Sequence, residues 1–114
     1  MKNIDEIRAR YIKEPLERRL GHLASDLARV SGFLDNPKNS KAVQDILEES
    51  EFFIEWTAAD APLHIQEMLS EMQVALAQWH YRVARGMPVR FLDLQSRART
   101  WSEQLLSASG LSTT

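Results

Sequence analysis

Leu16, Leu20, Leu23, Leu27, Val30 and Leu34 follow one another at alternating steps of four and three residues. Ile65, Leu69, Met72, Leu76, Trp79 and Val83 repeat the pattern, as do Phe91, Leu94, Ala98, Trp101 and Leu105. Side chains three or four apart return to one face of an α-helix, so each set is one narrow buried seam. A strand requires alternation by two, and no stretch shows it. Helix-breaking residues separate the seams: Pro15, the polar run Asp35-Asn36-Pro37-Lys38-Asn39-Ser40, Asp60-Ala61-Pro62, and Gly86 with Pro88. Proline removes a backbone donor and clashes with the preceding turn, and glycine readily takes the left-handed conformation that closes a helix. The chain is therefore expected to be all-α. A short helix at about 3–13 is followed by helices at about 15–34, 40–58, 62–85 and 88–107. Short connections place successive helices side by side, which predicts one up-down-up-down four-helix bundle over residues 1–114.

Local signals refine these ends. Asn3 with Glu6 three residues on has the form of a capping box, and Asp60 is placed to cap the helix after it. Gly86 stands just past the helix that ends near Arg85, where Arg82 and Arg85 suit the negative end of the helix dipole. A chain of 114 residues buries about two-thirds of its unfolded surface, enough for a core without covalent staples. None is available, because the sequence has no cysteine. Its first residues lack the basic start and apolar run of a signal peptide, and no stretch reaches the ~18 apolar residues of a membrane span. A soluble, cytoplasmic protein is expected.

The second long helix carries more apolar side chains than one seam needs. Val43, Ile46, Leu47, Phe53 and Ile54 share a stripe, while Phe52 projects roughly opposite and Trp56 follows it one turn later. A helix that is apolar on two sides is usually covered on two sides. The cover is either the N-terminal helix with Ile4, Ile7 and Tyr11, or a partner. Tyr81 and Val74 lie outside the seam of the third long helix in the same way. A stripe of small residues on the first long helix, Gly21, Ala24, Ser25, Ala28 and Gly32, is expected to let another backbone come close. Phe52, Trp56, Tyr81, Val74, Gly21, Ser25 and Ala28 are the candidate interaction surface.

Charge is unevenly distributed. Residues 1–33 carry seven Lys/Arg and five Asp/Glu, residues 34–71 two and nine, and residues 72–114 five and two. An acidic middle between mildly basic ends predicts complementary charges between neighbouring helices. A pI of about 5.9 speaks against a dedicated nucleic-acid binder. Arg90 and Arg97, seven apart on one face, are the residues such a role would use, and Arg99 is turned away from them.

Catalytic constellations are missing from the sequence. A bundle with a di-metal site needs Glu-x-x-His on two helices, but Arg19, Ala61 and Ala77 stand three before His22, His64 and His80. His64, Glu67 and Glu71 have the character of ordinary surface charges. His80 is expected to be half-buried and hydrogen-bonded. There is no glycine-rich phosphate loop and no nucleophile elbow. No cofactor or metal is implied.

Two stretches, Arg18-Arg19-Leu20-Gly21-His22-Leu23-Ala24-Ser25-Asp26-Leu27-Ala28-Arg29 and Glu51-Phe52-Phe53-Ile54-Glu55-Trp56-Thr57-Ala58, together with Trp101-Ser102, resemble segments of small uncharacterised all-helical proteins of cyanobacteria. The resemblance spans most of the chain, implies an all-helical fold, and transfers no activity and no site residue. The expected function is non-catalytic: an interaction or adaptor module, a homodimer or the binder of a protein partner, associating through the helix at 40–58. The alternatives are a regulator that binds nucleic acid through the last helix and a bundle that binds a small molecule or metal.

Overall fold

A computed structural model of the chain describes residues 3–34, 36–87 and 91–109. Its regular elements are helical: α1 (Ile4–Tyr11), α2 (Leu16–Phe33), a single 3-10 turn (Pro37–Asn39), α3 (Ser40–Ala58), α4 (Leu63–Ala84) and α5 (Phe91–Ser109). No strand occurs among the described residues. Pro88, Arg90 and Asp35 lie outside them.

Two helix starts are made by proline. Pro15 and Pro62 sit at the N-caps of α2 and α4 in extended conformation, and their carbonyls accept the first helical bonds from Arg18, Arg19, Ile65 and Gln66. Two expected caps are not formed. The Asn3 side chain makes no capping bond; its backbone is left-handed, at φ 56°. That geometry leaves its side chain off the α1 amides, although its carbonyl still accepts from Ile7. Asp60 is drawn away from α4 by Arg19, whose Nη1 donates to its Oδ2 at 2.9 Å. A charge-assisted bond to guanidinium outcompetes a capping bond. The end of α4 follows its local signal. Gly86 has φ +64°, its N–H bonds the Val83 carbonyl, and the Met87 N–H bonds that of Arg82. This pair of bonds is the Schellman closure that favours glycine.

α2 is the hub. It packs along most of its length against α5 and extensively against α3, α4 packs on α3, and α4 and α5 approach only sparsely. The hydrogen bonds show the sense of each pairing. Ser31 meets Gln95 while Ala24 meets Ser102, so α2 and α5 run antiparallel. Gln66 meets Ala58 while Gln73 meets Glu51, so α3 and α4 do too. The Cα extents, 35 × 34 × 22 Å, are those of a flattened body.

The α2–α5 contact is close because its residues are small. Ala24 and Ala98 are fully buried there. The Ser102 hydroxyl donates to the Ala24 carbonyl at 2.8 Å and Ser31 to that of Gln95 at 3.3 Å, and the Gln95 amide donates to the Ser31 carbonyl at 2.8 Å. Close packing thus runs through Ala24 and Ser31, not through the expected small stripe as a whole. Ser25, Ala28 and Gly32 are exposed and Gly21 is half-buried. A Cβ at Gly32 would meet nothing within 4 Å, so no close approach accounts for that glycine. Where α4 and α5 converge, bulk replaces proximity. Trp79 and Trp101 lie with ring centroids 5.4 Å apart, and these indoles fill space that the two backbones leave open.

Candidate functional site

The predicted interaction residues fall on two separate surfaces. On α3, Phe53 and Ile54 are buried while Phe52 and Trp56 are half-buried. Trp56 packs against the core, and its ring lies 5.8 Å from that of Tyr11 and 5.5 Å from that of Phe52. Tyr11 itself stacks on Phe53 at 4.1 Å with planes 8° apart. The N-terminal helix therefore supplies part of the cover that this side of α3 requires. On α4, Val74 and Tyr81 are 63% and 54% exposed. They share the side of the helix turned away from its seam with Leu63, 70% exposed. The guanidinium of Arg85 lies 4.0 Å over the Tyr81 ring.

Arg90 lies outside the described residues, and the Arg97 guanidinium is held over Trp101 at 4.8 Å and Trp79 at 5.8 Å. A cation resting on two aromatic faces is oriented by the protein itself. His80 is half-buried, with Nδ1 3.0 Å from Glu51 Oε2, while His64, Glu67 and Glu71 are exposed. No group of three His, Cys, Asp or Glu able to hold a metal ion occurs among the described residues.

The polar chemistry gathers elsewhere, in a cleft of about 550 Å³ between α1, α2 and α3. Tyr11 anchors it. Its hydroxyl donates to the Arg19 carbonyl at 3.1 Å and pairs with the Thr57 hydroxyl at 2.7 Å, and burial pushes its pKa well above the ordinary tyrosine value. Asp26 forms the inner wall at only 4% exposure. Its Oδ1 accepts from Arg29 at 2.6 Å, and the same guanidinium nitrogen lies 3.6 Å from Glu49 Oε2. Asp26 Oδ2 receives no hydrogen bond from any donor of the protein. Burial foremost, then the hydrogen bond and charge of Glu49, push the Asp26 carboxyl up to about 8, against the opposing pull of Arg29. Two carboxylates this close share a proton more readily than both ionise. At the mouth, His22 Nε2 lies 3.9 Å from Glu14 Oε1.

Sequence reasoning did not single out Asp26 or Glu49. The available signal is that Arg19 and Asp26, seven apart, flank Leu23, Leu27 and Val30 on the seam side of α2, where a solvated charge does not belong. Glu49 is invisible as a site residue until α3 is docked. Compared with protein-family models, curated proteins and solved structures, the chain has no significant match.

Proposed function

We propose that this chain is a non-catalytic, cytoplasmic interaction module that self-associates through the outward face of α4. In this reading the four long helices form an up-down-up-down bundle in which α4 is the loosely held edge. The observation that carries it is the exposure of Val74, Tyr81 and Leu63 on one side of a helix whose other side is buried against α3. Exposed large apolar side chains sharing a helix face favour a second helix laid against them.

Charge selects a second copy as the occupant. Exposed Glu67 lies in the N-terminal half of this face and exposed Arg85 near its C-terminal end. Two α4 helices laid antiparallel about a twofold axis at mid-helix bring Glu67 of each copy opposite Arg85 of the other. Val74 and Tyr81 then lie between the charged ends, a self-complementary arrangement of the kind twofold dimers use. The Phe52–Trp56 pair on α3 is the weaker candidate, because Tyr11 and the core already cover Trp56.

Sedimentation velocity tests this reading. The wild type is expected to be a dimer at roughly 50 µM, an affinity within the ordinary range of transient homodimers. Val74→Glu with Tyr81→Glu should give a folded monomer. Arg85→Glu should weaken the dimer, and adding Glu67→Arg should restore it. A wild type that stays monomeric at that concentration removes the proposal.

A further inference from the structure

The N-terminal helix is tied to the rest of the molecule chiefly by one side chain. We propose that α1 is a strap that opens as a unit about the turn from Ile12 to Pro15, with Tyr11 as its latch, while α2 to α5 stay folded. The opening involves α2 and α3 and does not depend on association through α4.

Three observations carry this. First, Tyr11, the last residue of α1, is its one buried side chain. The ring stacks on Phe53 and reaches Trp56, and the hydroxyl joins Thr57 on α3 to the Arg19 carbonyl on α2. Ile7, half-buried, is a second and smaller foothold. Asp5, Glu6, Arg8 and Arg10 are exposed. Second, α1 lies along no other helix, whereas α2 packs on α3 and α5 over much of its length. The cleft of about 550 Å³ runs between α1 and its two neighbours, so α1 bridges them instead of filling the space between. Third, α1 is eight residues long and its N-cap side chain makes no bond. A helix this short does not persist alone in water, so α1 released from its latch unwinds. The conformational entropy its residues then regain favours release.

The turn supplies the hinge. Ile12 and Lys13 are exposed, and Glu14 is half-buried. The Glu14 N–H bonds the Tyr11 carbonyl, a local bond that opening can give up to water. Pro15 is already extended, at φ −63° and ψ 157°, and its carbonyl accepts the first bonds of α2 from Arg18 and Arg19. Those bonds lie beyond the hinge, so opening stops at α2. It uncovers Phe53, Trp56 and Thr57, which the closed strap keeps from solvent. α1 is thus an intramolecular mask over the aromatic side of α3.

Amide hydrogen exchange of the full chain, followed by NMR in low urea, tests the proposal. The α1 amides from Ile7 to Ile12 are hydrogen-bonded in the closed strap. Their protection is expected to be at least about tenfold below that of the buried amides of α2 and α5, yet well above that of an open chain. It should depend little on urea, because a strap exposes far less surface than global unfolding. Tyr11→Phe keeps the stack but loses both hydroxyl bonds, and should speed α1 exchange roughly tenfold. Ser102→Ala, in the α2–α5 seam, should leave α1 exchange unchanged while it speeds the most protected amides of that seam. Should Tyr11→Phe fail to fold, the urea dependence of the wild type and the Ser102→Ala comparison decide. Protection and urea dependence shared with α5, or faster α1 exchange in Ser102→Ala, would show that α1 opens only with the whole molecule. Unprotected α1 amides would mean that no closed strap forms, and exchange unmoved by Tyr11→Phe would remove the latch. Each of these results overturns the proposal.

Discussion

α2 is buried on two sides by opposite means. Toward α5 it presents Ala24 and Ser31, and the seam is close, with serine and glutamine side chains reaching across to backbone carbonyls. Toward α1 and α3 it presents Arg19, Asp26 and Arg29, whose partners are the Asp60 and Glu49 carboxylates and one another. Two buried atoms on that side, Arg19 Nε and Asp26 Oδ2, have no partner. Small neutral residues lock two backbones at a fixed distance, and a change of one methylene is felt. Buried charges leave groups whose energy depends on their protonation. One side of α2 is a structural seam, and the other is a surface that responds to its surroundings.

Variants on each side should separate the two behaviours. The largest effect is expected for Tyr11→Ala, which removes the ring stacked on Phe53 and the hydroxyl that ties α1 to Arg19 and Thr57. Loss of a buried aromatic should cost about 3–4 kcal/mol in urea unfolding; a loss below 1 kcal/mol would show that α1 docks independently of the polar side. Ala24→Leu attacks the other seam, where there is no room for the added atoms. A loss of about 2–3 kcal/mol is expected, and a neutral result would mean the α2–α5 distance is adjustable after all.

Asp26→Asn gives the next effect, and its sign distinguishes the sides. The folded-state pKa of Asp26, about 8, exceeds the ordinary aspartate value of about 4. The folded protein therefore holds a proton that the unfolded chain has released between those two pH values. Stability falls as pH rises through that window, by at most on the order of 1 kcal/mol per pH unit, and levels off above it. Asparagine keeps the shape of the protonated acid, so thermal melts of the variant should lose this slope and gain about 1–2 kcal/mol at pH 8. A wild type whose stability is flat from pH 5 to pH 8 contradicts the raised pKa of Asp26.

Ser102→Ala should cost about 1 kcal/mol with no pH dependence, because the bond it removes joins two neutral groups. Gly32→Ala provides the smallest effect. It belongs to neither side, its Cβ enters open space, and better helix propensity should stabilise the chain by roughly 0.5 kcal/mol. Destabilisation there would reveal a contact on the outward face of α2.

Much of the architecture was legible without coordinates. Pro15, Pro62 and Gly86 stand at helix ends because their backbone chemistry permits little else. The steps of three and four pick out Leu20, Leu23, Leu27, Leu69, Met72 and Leu76, all buried. The small stripe of α2 was legible only in part. Periodicity marks which residues share a face, but Ala24 is buried while Ala28, one turn on, is exposed, and that depends on where α5 lies. The capping residues show the same limit. Asn3 and Asp60 have the right local chemistry, but a left-handed backbone in one case and Arg19 from another helix in the other decided against it.

The sequence by itself determined the all-helical class, the places where helices break and the residues of each seam, because these follow from backbone sterics and from the 3.6-residue period acting over a few turns. Only the tertiary structure decided that Tyr11 returns to cover Trp56, that Arg97 rests on two tryptophans, and that Asp26 meets Glu49 across the α2–α3 contact. Those outcomes depend on which side chains desolvate one another. Desolvation belongs to the packed arrangement, and no single helix carries it.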